Sequence, residues 1–236
     1  MEIKLANLLE EWNDDKNWIY CRYTRGSRLY GTNDDDSDYD FLIVTKDDVT
    51  IIPDERYTND DCVKADKRVF QTSFGKYDIE VVKYSDFISL IEEQSPLALE
   101  AILSVEKGSS IRNDVFLDIY KVNPWKIRGN FGSIANNSFV KAKKKLVVKE
   151  SYDHRCAIKS LFHSIRLLMF ACQVAEKGTI DDFRCAVPLW NEITDDANNG
   201  FEWEDFKKKY KPIWNEWHSK MVKLCPRPEE YFKTHK

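Results

Sequence analysis

The sequence predicts an α+β protein, in which a small mixed sheet with flanking helices is followed by a helical domain. Short apolar segments separated by turn residues fill the first part of the chain, a pattern typical of strands. From about residue 111 onward the apolar residues recur at helical spacing, which indicates packed helices. We therefore expect a sheet domain over 1–110 and a helical domain over 111–236.

The strands are expected where β-branched and aromatic residues cluster between turn residues. The second of them is almost entirely apolar after its first residues, as a central strand should be. Gly75 separates the last two, so these are expected to form a hairpin. The predicted strands cover 18–24, 38–45, 67–74 and 76–84.

The other elements follow from helical periodicity and from helix-breaking residues. Gly178 is expected to end the longest helix, and the tryptophan-rich stripe of the last helix is expected to pack against its neighbours. A polar segment over 46–66 is ambiguous and could be a loop over a site. The predicted helices are 3–12, a short turn at 27–31, two in 85–103 broken at Pro96, then 114–120, 133–149, 154–177 and 201–221, with breaks at 123–124 and 129–132 and a connector at 181–188.

Composition indicates an ordinary folded protein, 42% hydrophobic and 32% charged. The net charge of −4 gives no overall basic field, so a polyanion would need a local basic patch. Six cysteines without close pairing or metal-finger spacing favour reduced thiols in a cytoplasmic protein. No apolar run of about 20 residues is present, so we expect no membrane association.

The residues with the clearest chemical meaning are a Gly-Ser turn and the acidic strand that follows it. Asp38 and Asp40 are two apart in a predicted strand, so their side chains are expected to point the same way. Neighbouring carboxylates repel unless a cation lies between them, and oxygen ligands favour Mg²⁺ or Mn²⁺. Gly26 allows a close approach of backbone to a ligand, and Ser27 offers a hydroxyl and an N–H to a phosphate. Together these features indicate phosphoryl or nucleotidyl transfer.

Two further groups near this motif have open interpretations. Arg28 is either a phosphate clamp, since a guanidinium matches phosphate geometry, or a partner of the acidic link. The link carries Asp34, Asp35 and Asp36, which we interpret as solvated loop residues rather than ligands.

The pattern Gly-Ser-Arg-x-Tyr-Gly at 26–31, followed by Asp-Ser-Asp-Tyr-Asp at 36–40, resembles the polymerase-beta-type nucleotidyltransferase superfamily. It is most similar to the "predicted nucleotidyltransferase" family of bacteria and phages. The resemblance implies transfer of a nucleoside monophosphate from a nucleoside triphosphate, such as ATP, to a hydroxyl. It further implies that Asp38 and Asp40 bind two Mg²⁺ or Mn²⁺ ions, that Gly26 and Ser27 bind the terminal phosphates, and that the helical domain closes the nucleotide cleft.

A second acidic pair, Asp78 and Glu80, shares one face of the last predicted strand. A third carboxylate from a neighbouring strand would complete a two-metal site. Matching Phe87 and Pro96 to the family pattern favours Asp78 as this ligand, with Glu80 in reserve. The alternative is that both lie on the solvated face of an edge strand.

Two groups in the helical domain could contact nucleotide or RNA. Lys159, His163 and Arg166 share a face of one helix with Phe170, and the resemblance extends to a Lys and a His-x-x-Arg here. They would neutralise the triphosphate, or they form a solvated face or buried ion pairs. The lysines of the preceding helix would follow an RNA backbone, or form a solvated face. Those lysines are Lys141, Lys145 and Lys149.

The acceptor is the open question. An RNA or tRNA 3′ end is the first hypothesis, because the lysine helix supplies a local basic strip. A protein side chain, as in toxin–antitoxin nucleotidyltransferases, is the second. A nucleotide-binding regulatory module without turnover and a metal-dependent nuclease are the remaining alternatives, although a nuclease would not need Gly26 and Ser27.

Overall fold

A computed structural model describes residues 2–4, 18–52, 68–106, 108 and 110–228. The chain forms two compact units. The first comprises Met1–Glu92 with Leu97–Tyr120, and the second comprises Glu93–Pro96 with Lys121–Lys236. The helix at 111–119 is part of the first unit, whereas the sequence assigned it to the helical domain.

The first unit is built on a mixed sheet whose strand order is β2-β3-β6-β5. β3 and β6 are parallel, and the two outer pairings are antiparallel. β1 and β4 form a separate parallel pair. This mixed sheet, with helices around it, confirms the predicted α+β class. The strands are β1 (Glu2–Lys4), β2 (Ile19–Arg25), β3 (Tyr39–Thr45), β4 (Thr50–Ile52), β5 (Val69–Phe74) and β6 (Tyr77–Lys83).

β1 corrects the prediction of a helix at 3–12. Residues 3 and 4, at the start of the predicted helix, pair with β4. Their backbone groups therefore bond to a distant strand instead of to the next helical turn. The rest of that predicted helix, and residues 53–66 of the polar segment, lie outside the described residues. β4 shows that the polar segment includes a short strand.

The first unit also contains α1 (Gly26–Tyr30), α2 (Tyr84–Glu92), α3 (Pro96–Leu103) and α4 (Ile111–Ile119). Phe87 of α2 stacks on Tyr23 of the sheet and meets Phe116 of α4 edge to face. The opposite sheet face carries Ile43 and Ile79, which pack with Trp18 and Val49 in a second apolar cluster. The sheet is therefore covered on both faces over its central residues.

The second unit is helical, and its helices are α5 (Pro124–Val147), α6 (His154–Lys177), α7 (Val187–Asn198) and α8 (Trp203–Leu224). α6 has the predicted bounds and ends at Gly178, which is in the left-handed conformation. α5 continues through the predicted break at 129–132. A Cβ at Gly132 would lie 3.3 Å from Met221 of α8, so this glycine permits close helix packing. α7 was not predicted.

The aromatic stripe of α8 packs as predicted. Trp203 and Trp214 are buried and both contact Phe139 of α5, with ring centroids 5.4 and 5.9 Å away. None of the helices in the described part of the chain is long and apolar enough to cross a membrane.

Candidate active site

The parallel pairing of β3 with β6 brings together two acidic residues that lie far apart in the sequence. Asp40 of β3 is the register partner of Asp78 of β6. Register partners on neighbouring strands point to the same face, and the strands are about 4.8 Å apart, so the two side chains are direct neighbours. Both are half-buried. This arrangement gives a pair of adjacent carboxylates near the N-terminal ends of the two central strands.

Gly26 lies directly against the carboxylate of Asp40. Its φ of +67° is in the left-handed region, and a Cβ at this position would overlap the Asp40 side chain. An L side chain would therefore be strained by the backbone and excluded by the carboxylate. Because Gly26 begins α1, the Gly-Ser turn and the acidic strand meet at this point. Ser27 follows in α1 and is half-buried.

Asp78 is held by a hydrogen bond from the neighbouring hairpin strand. The Ser73 hydroxyl of β5 donates to Oδ1 of Asp78, and the two residues are register partners. Such a bond fixes the direction of a carboxylate, as outer-sphere partners do for metal ligands. Ser73 was not predicted as a site residue. The signal was present, because a two-residue turn at 75–76 pairs residue 73 with residue 78.

Glu80, the reserve candidate for the third carboxylate, is bound to an arginine. Arg25, at the end of β2, forms an ion pair with Glu80. The same guanidinium lies 3.9 Å from Glu100 of α3, which is only 1% exposed. The Tyr30 hydroxyl donates a hydrogen bond to Glu100. Arg25 and Glu100 were not predicted, because nothing in their local sequence indicates that they meet.

The acidic link and Arg28 hold each other in place. Arg28 donates a hydrogen bond to the carbonyl of Ser37 (2.9 Å), and its guanidinium lies 3.7 Å from the centre of the Tyr39 ring. Within the link, the Ser37 hydroxyl donates to Asp34 (2.6 Å). The partner of Arg28 in the link is thus a backbone carbonyl and not one of the predicted carboxylates. Asp38 is exposed and precedes the first residue of β3.

Among the described residues, no group of three or more His, Cys, Asp and Glu side chains is arranged to hold a metal ion. Of the predicted carboxylates, Asp40 and Asp78 are register partners and Asp38 precedes β3 by one residue, whereas the reserve candidate Glu80 is bound to Arg25. Asp40 and Asp78 nevertheless fit a divalent cation. Mg²⁺ is commonly bound by one or two carboxylates, with water and substrate phosphates as the other ligands.

The three residues of the predicted cationic row on α6 differ in their exposure to solvent. Lys159 is exposed and His163 is half-buried, but Arg166 is only 2% exposed. The Arg166 guanidinium lies 2.8 Å from Nδ1 of His163 and 4.9 Å from the ring centre of Phe170. Arg166 is therefore part of the interior of the second unit, which matches the buried alternative better than an exposed phosphate contact.

The predicted basic strip is also not one continuous helix face. Lys141 is exposed and Lys145 is half-buried on α5. Lys149 is exposed but lies beyond the end of α5, in a short 3₁₀ helix (Lys149–Ser151). The helix ends because Val148 is extended, so the spacing of the three lysines no longer places them in one row.

No protein-family model matches the sequence, and curated proteins contain no match. Among solved structures, the chain is similar to a nucleotidyltransferase-like protein from Exiguobacterium sibiricum 255-15, with 11% sequence identity and a TM-score of 0.29. The alignment covers 93% of this chain and 72% of that chain. A likeness at this level carries no inference about function.

Proposed function

We propose that the chain is a metal-dependent nucleotidyltransferase, which moves a nucleoside monophosphate from a nucleoside triphosphate to a hydroxyl. The observation that carries the proposal is the contact of Gly26 with Asp40, beside Asp78. It joins a turn suited to phosphate with paired carboxylates suited to a divalent cation. This combination is what phosphoryl-group transfer requires, because such reactions depend on positioning and charge stabilisation.

Each residue has a specific role in the proposal. Asp40 and Asp78 would hold Mg²⁺ or Mn²⁺, with Asp38 as a further ligand for a second ion. The bound ions would stabilise negative charge on the transferring group and lower the pKa of the attacking hydroxyl. Gly26 and Ser27 would bind the terminal phosphates through the backbone and the hydroxyl.

The reaction balances without any other reactant. The acceptor oxygen forms a bond to the α-phosphorus, and the bond between that phosphorus and the bridging oxygen breaks, releasing pyrophosphate. The acceptor proton passes to a base, and Asp78 is the candidate because its carboxylate lies beside Asp40.

The acceptor that we propose is an RNA 3′ end, such as that of tRNA. Lys141 and Lys149 are exposed and could contact an RNA backbone. Transfer to a protein side chain, RNA cleavage and nucleotide binding without turnover are the alternatives that the experiment must separate.

The test is incubation of the purified protein with Mg²⁺, total RNA and protein, and each α-labelled nucleoside triphosphate in turn. We expect label in RNA, reduced at least about 100-fold by Asp40→Asn and by Asp78→Asn, since each removes charge that would stabilise the transition state. Asp35→Asn is the matched control, because Asp35 is an exposed acid of the link. It should transfer label at the wild-type rate.

Other results contradict specific parts of the proposal. Label in protein but not in RNA would replace the RNA acceptor, and shortened RNA would indicate a nuclease. A protein that binds nucleotide and transfers no label, with Asp78→Asn indistinguishable from wild type, would be a binding module and not a transferase.

A further inference from the structure

Arg25 lies on the same face of the sheet as the candidate metal ligands. It is the last residue of β2, and Asp40 is its register partner in the antiparallel β2–β3 pair. Register partners point to the same face, which is also the face of Asp78 and Glu80. The Arg25 side chain is 17% exposed and that of Glu80 is 12% exposed. Their ion pair is therefore largely removed from water, immediately beside Asp40 and Asp78.

The position of Arg25 is fixed from a second side. Its guanidinium also approaches Glu100, and Glu100 is held by the Tyr30 hydroxyl. Tyr30 is the last residue of α1, the helix that begins at Gly26. The Arg25 guanidinium thus lies between Glu80 of the sheet and the buried Glu100 of α3, next to the Gly-Ser turn.

Glu80 has the chemistry and the position of a metal ligand. It is two residues beyond Asp78 on one strand face, and its side chain is one methylene longer than that of aspartate. A third carboxylate at the site would change its ion preference, because affinity and selectivity follow the number and charge of the oxygen ligands. Ca²⁺ accepts six to eight oxygen ligands, whereas Mg²⁺ retains water and substrate phosphates.

We propose that Arg25 is a positioning residue that keeps Glu80 out of the divalent-cation site. With Glu80 bound to Arg25, Asp40 and Asp78 hold the cation and leave positions for the substrate phosphates. The inference rests on the proposed function for the identity of the site. Arg25 acts through Glu80 and does not itself contact substrate or cation.

The experiment measures binding of Mn²⁺ and of Ca²⁺ to the full chain without nucleotide, by calorimetry and by the paramagnetic signal of Mn²⁺. Arg25→Gln should raise the affinity for both ions about tenfold, with the larger gain for Ca²⁺, because Glu80 becomes an additional ligand. Adding Glu80→Gln to Arg25→Gln should return both affinities to the wild-type values, because the neutral pair has the net charge of the original ion pair and supplies no third carboxylate. Arg25→Lys should bind both ions as the wild type does, because it keeps a cation beside Glu80.

Arg112 offers a matched control. It donates hydrogen bonds to the carbonyls of Ile19 and Tyr20, at the other end of the strand that carries Arg25. Arg112 lies in α4, and Arg112→Gln removes an arginine that binds the same strand without affecting Glu80, so its ion affinities should equal those of the wild type.

A purely structural role for Arg25 gives a different result. Arg25→Gln would then weaken ion binding, and the added Glu80→Gln would not reverse the effect, which overturns the inference. If Arg25→Gln does not fold, Glu100→Gln provides the second comparison, because it loosens Arg25 from one side. Glu100→Gln should raise Ca²⁺ affinity only while Glu80 is present, and an equal rise with Glu80→Gln would also overturn the inference.

Failure of the inference and failure of the proposed function remain distinguishable. If Glu80→Gln reverses the rise in ion affinity caused by Arg25→Gln, and no transfer assay gives labelled product, the role of Arg25 is supported and the transferase function is contradicted. Label transfer by the wild type, without reversal in the double variant, contradicts the role of Arg25 alone.

Discussion

At Gly26, both the backbone conformation and the neighbouring Asp40 carboxylate require a residue without a side chain. Its positive φ and the Asp40 carboxylate against it both exclude a side chain. Gly75, at the turn between β5 and β6, also has a positive φ of +55°, but a Cβ there would meet nothing within 4 Å. A substitution at Gly75 therefore measures backbone strain alone, whereas a substitution at Gly26 measures backbone strain together with the contact to Asp40.

We expect Gly75→Ala to lower the free energy of unfolding by about 1–2 kcal/mol, the cost of a left-handed L residue. Gly26→Ala should cost more than this and should also weaken Mn²⁺ binding, because the new methyl group displaces the Asp40 carboxylate. Urea unfolding and Mn²⁺ titration measure the two effects. Equal behaviour of the two variants in both measurements would show that the contact with Asp40 has no consequence.

At the scale of elements, the β5–β6 hairpin fixes Ser73 opposite Asp78, and the β3–β6 pairing fixes Asp78 beside Asp40. The first relation is local and follows from the turn. The second joins strands separated by more than thirty residues in the sequence, so periodicity could suggest the two acidic strands but not their register. The sequence motif indicated Asp40 and Asp78 as candidate ligands. The register of β3 with β6 places Asp78 opposite Asp40, whereas Glu80 lies opposite Leu42.

The hairpin leads to a prediction for Ser73. Ser73→Ala removes the hydroxyl that orients Asp78, so Mn²⁺ affinity should fall by roughly 10- to 100-fold, as for other outer-sphere partners of metal ligands. Ser89→Ala is the control, because that hydroxyl donates to a backbone carbonyl within α2. An unchanged Mn²⁺ isotherm for Ser73→Ala would mean that the hydrogen bond does not orient a ligand.

Physical causes explain why some elements were not predicted from the sequence. The helix-breaking tendency of glycine predicted an interruption in α5, but a glycine costs only about 1 kcal/mol inside a helix, and α5 continues through Gly132, which packs against Met221. The strand β1 is only three residues long and depends on β4 for its hydrogen bonds, so no local pattern could reveal it. α6, by contrast, was predictable in full, because it has an Asp153 cap at its start and Gly178 at its end.

At the scale of the whole molecule, buried thiols set a limit on stability at high pH. Burial raises the pKa of Cys172 to about 12 and those of Cys185 and Cys225 to about 11. All three thiols belong to the second unit, and no disulfide ties them. In the unfolded chain a thiol titrates near pH 8.5, so above that pH the unfolded state binds fewer protons than the folded state.

The stabilisation from these raised pKa values is complete below about pH 8.5 and is lost as the pH rises toward 11–12. We therefore expect the melting temperature to fall steeply between pH 9 and 11, and Cys172→Ala to make that fall shallower. Below pH 8 the thiols are protonated in both states, so that range is the internal control. An unchanged alkaline slope in Cys172→Ala would contradict the prediction.

The parallel pairing of β3 with β6 also has a consequence for folding kinetics. Contacts between strands so distant in sequence carry a large loop-closure cost, so they form late compared with hairpins and helices. The β5–β6 hairpin can place Ser73 against Asp78 early, but Asp40 arrives only when the central pair closes. Recovery of Mn²⁺ binding during refolding should therefore follow the slowest phase of the first unit, which makes a bound ion a kinetic reporter of its completed sheet.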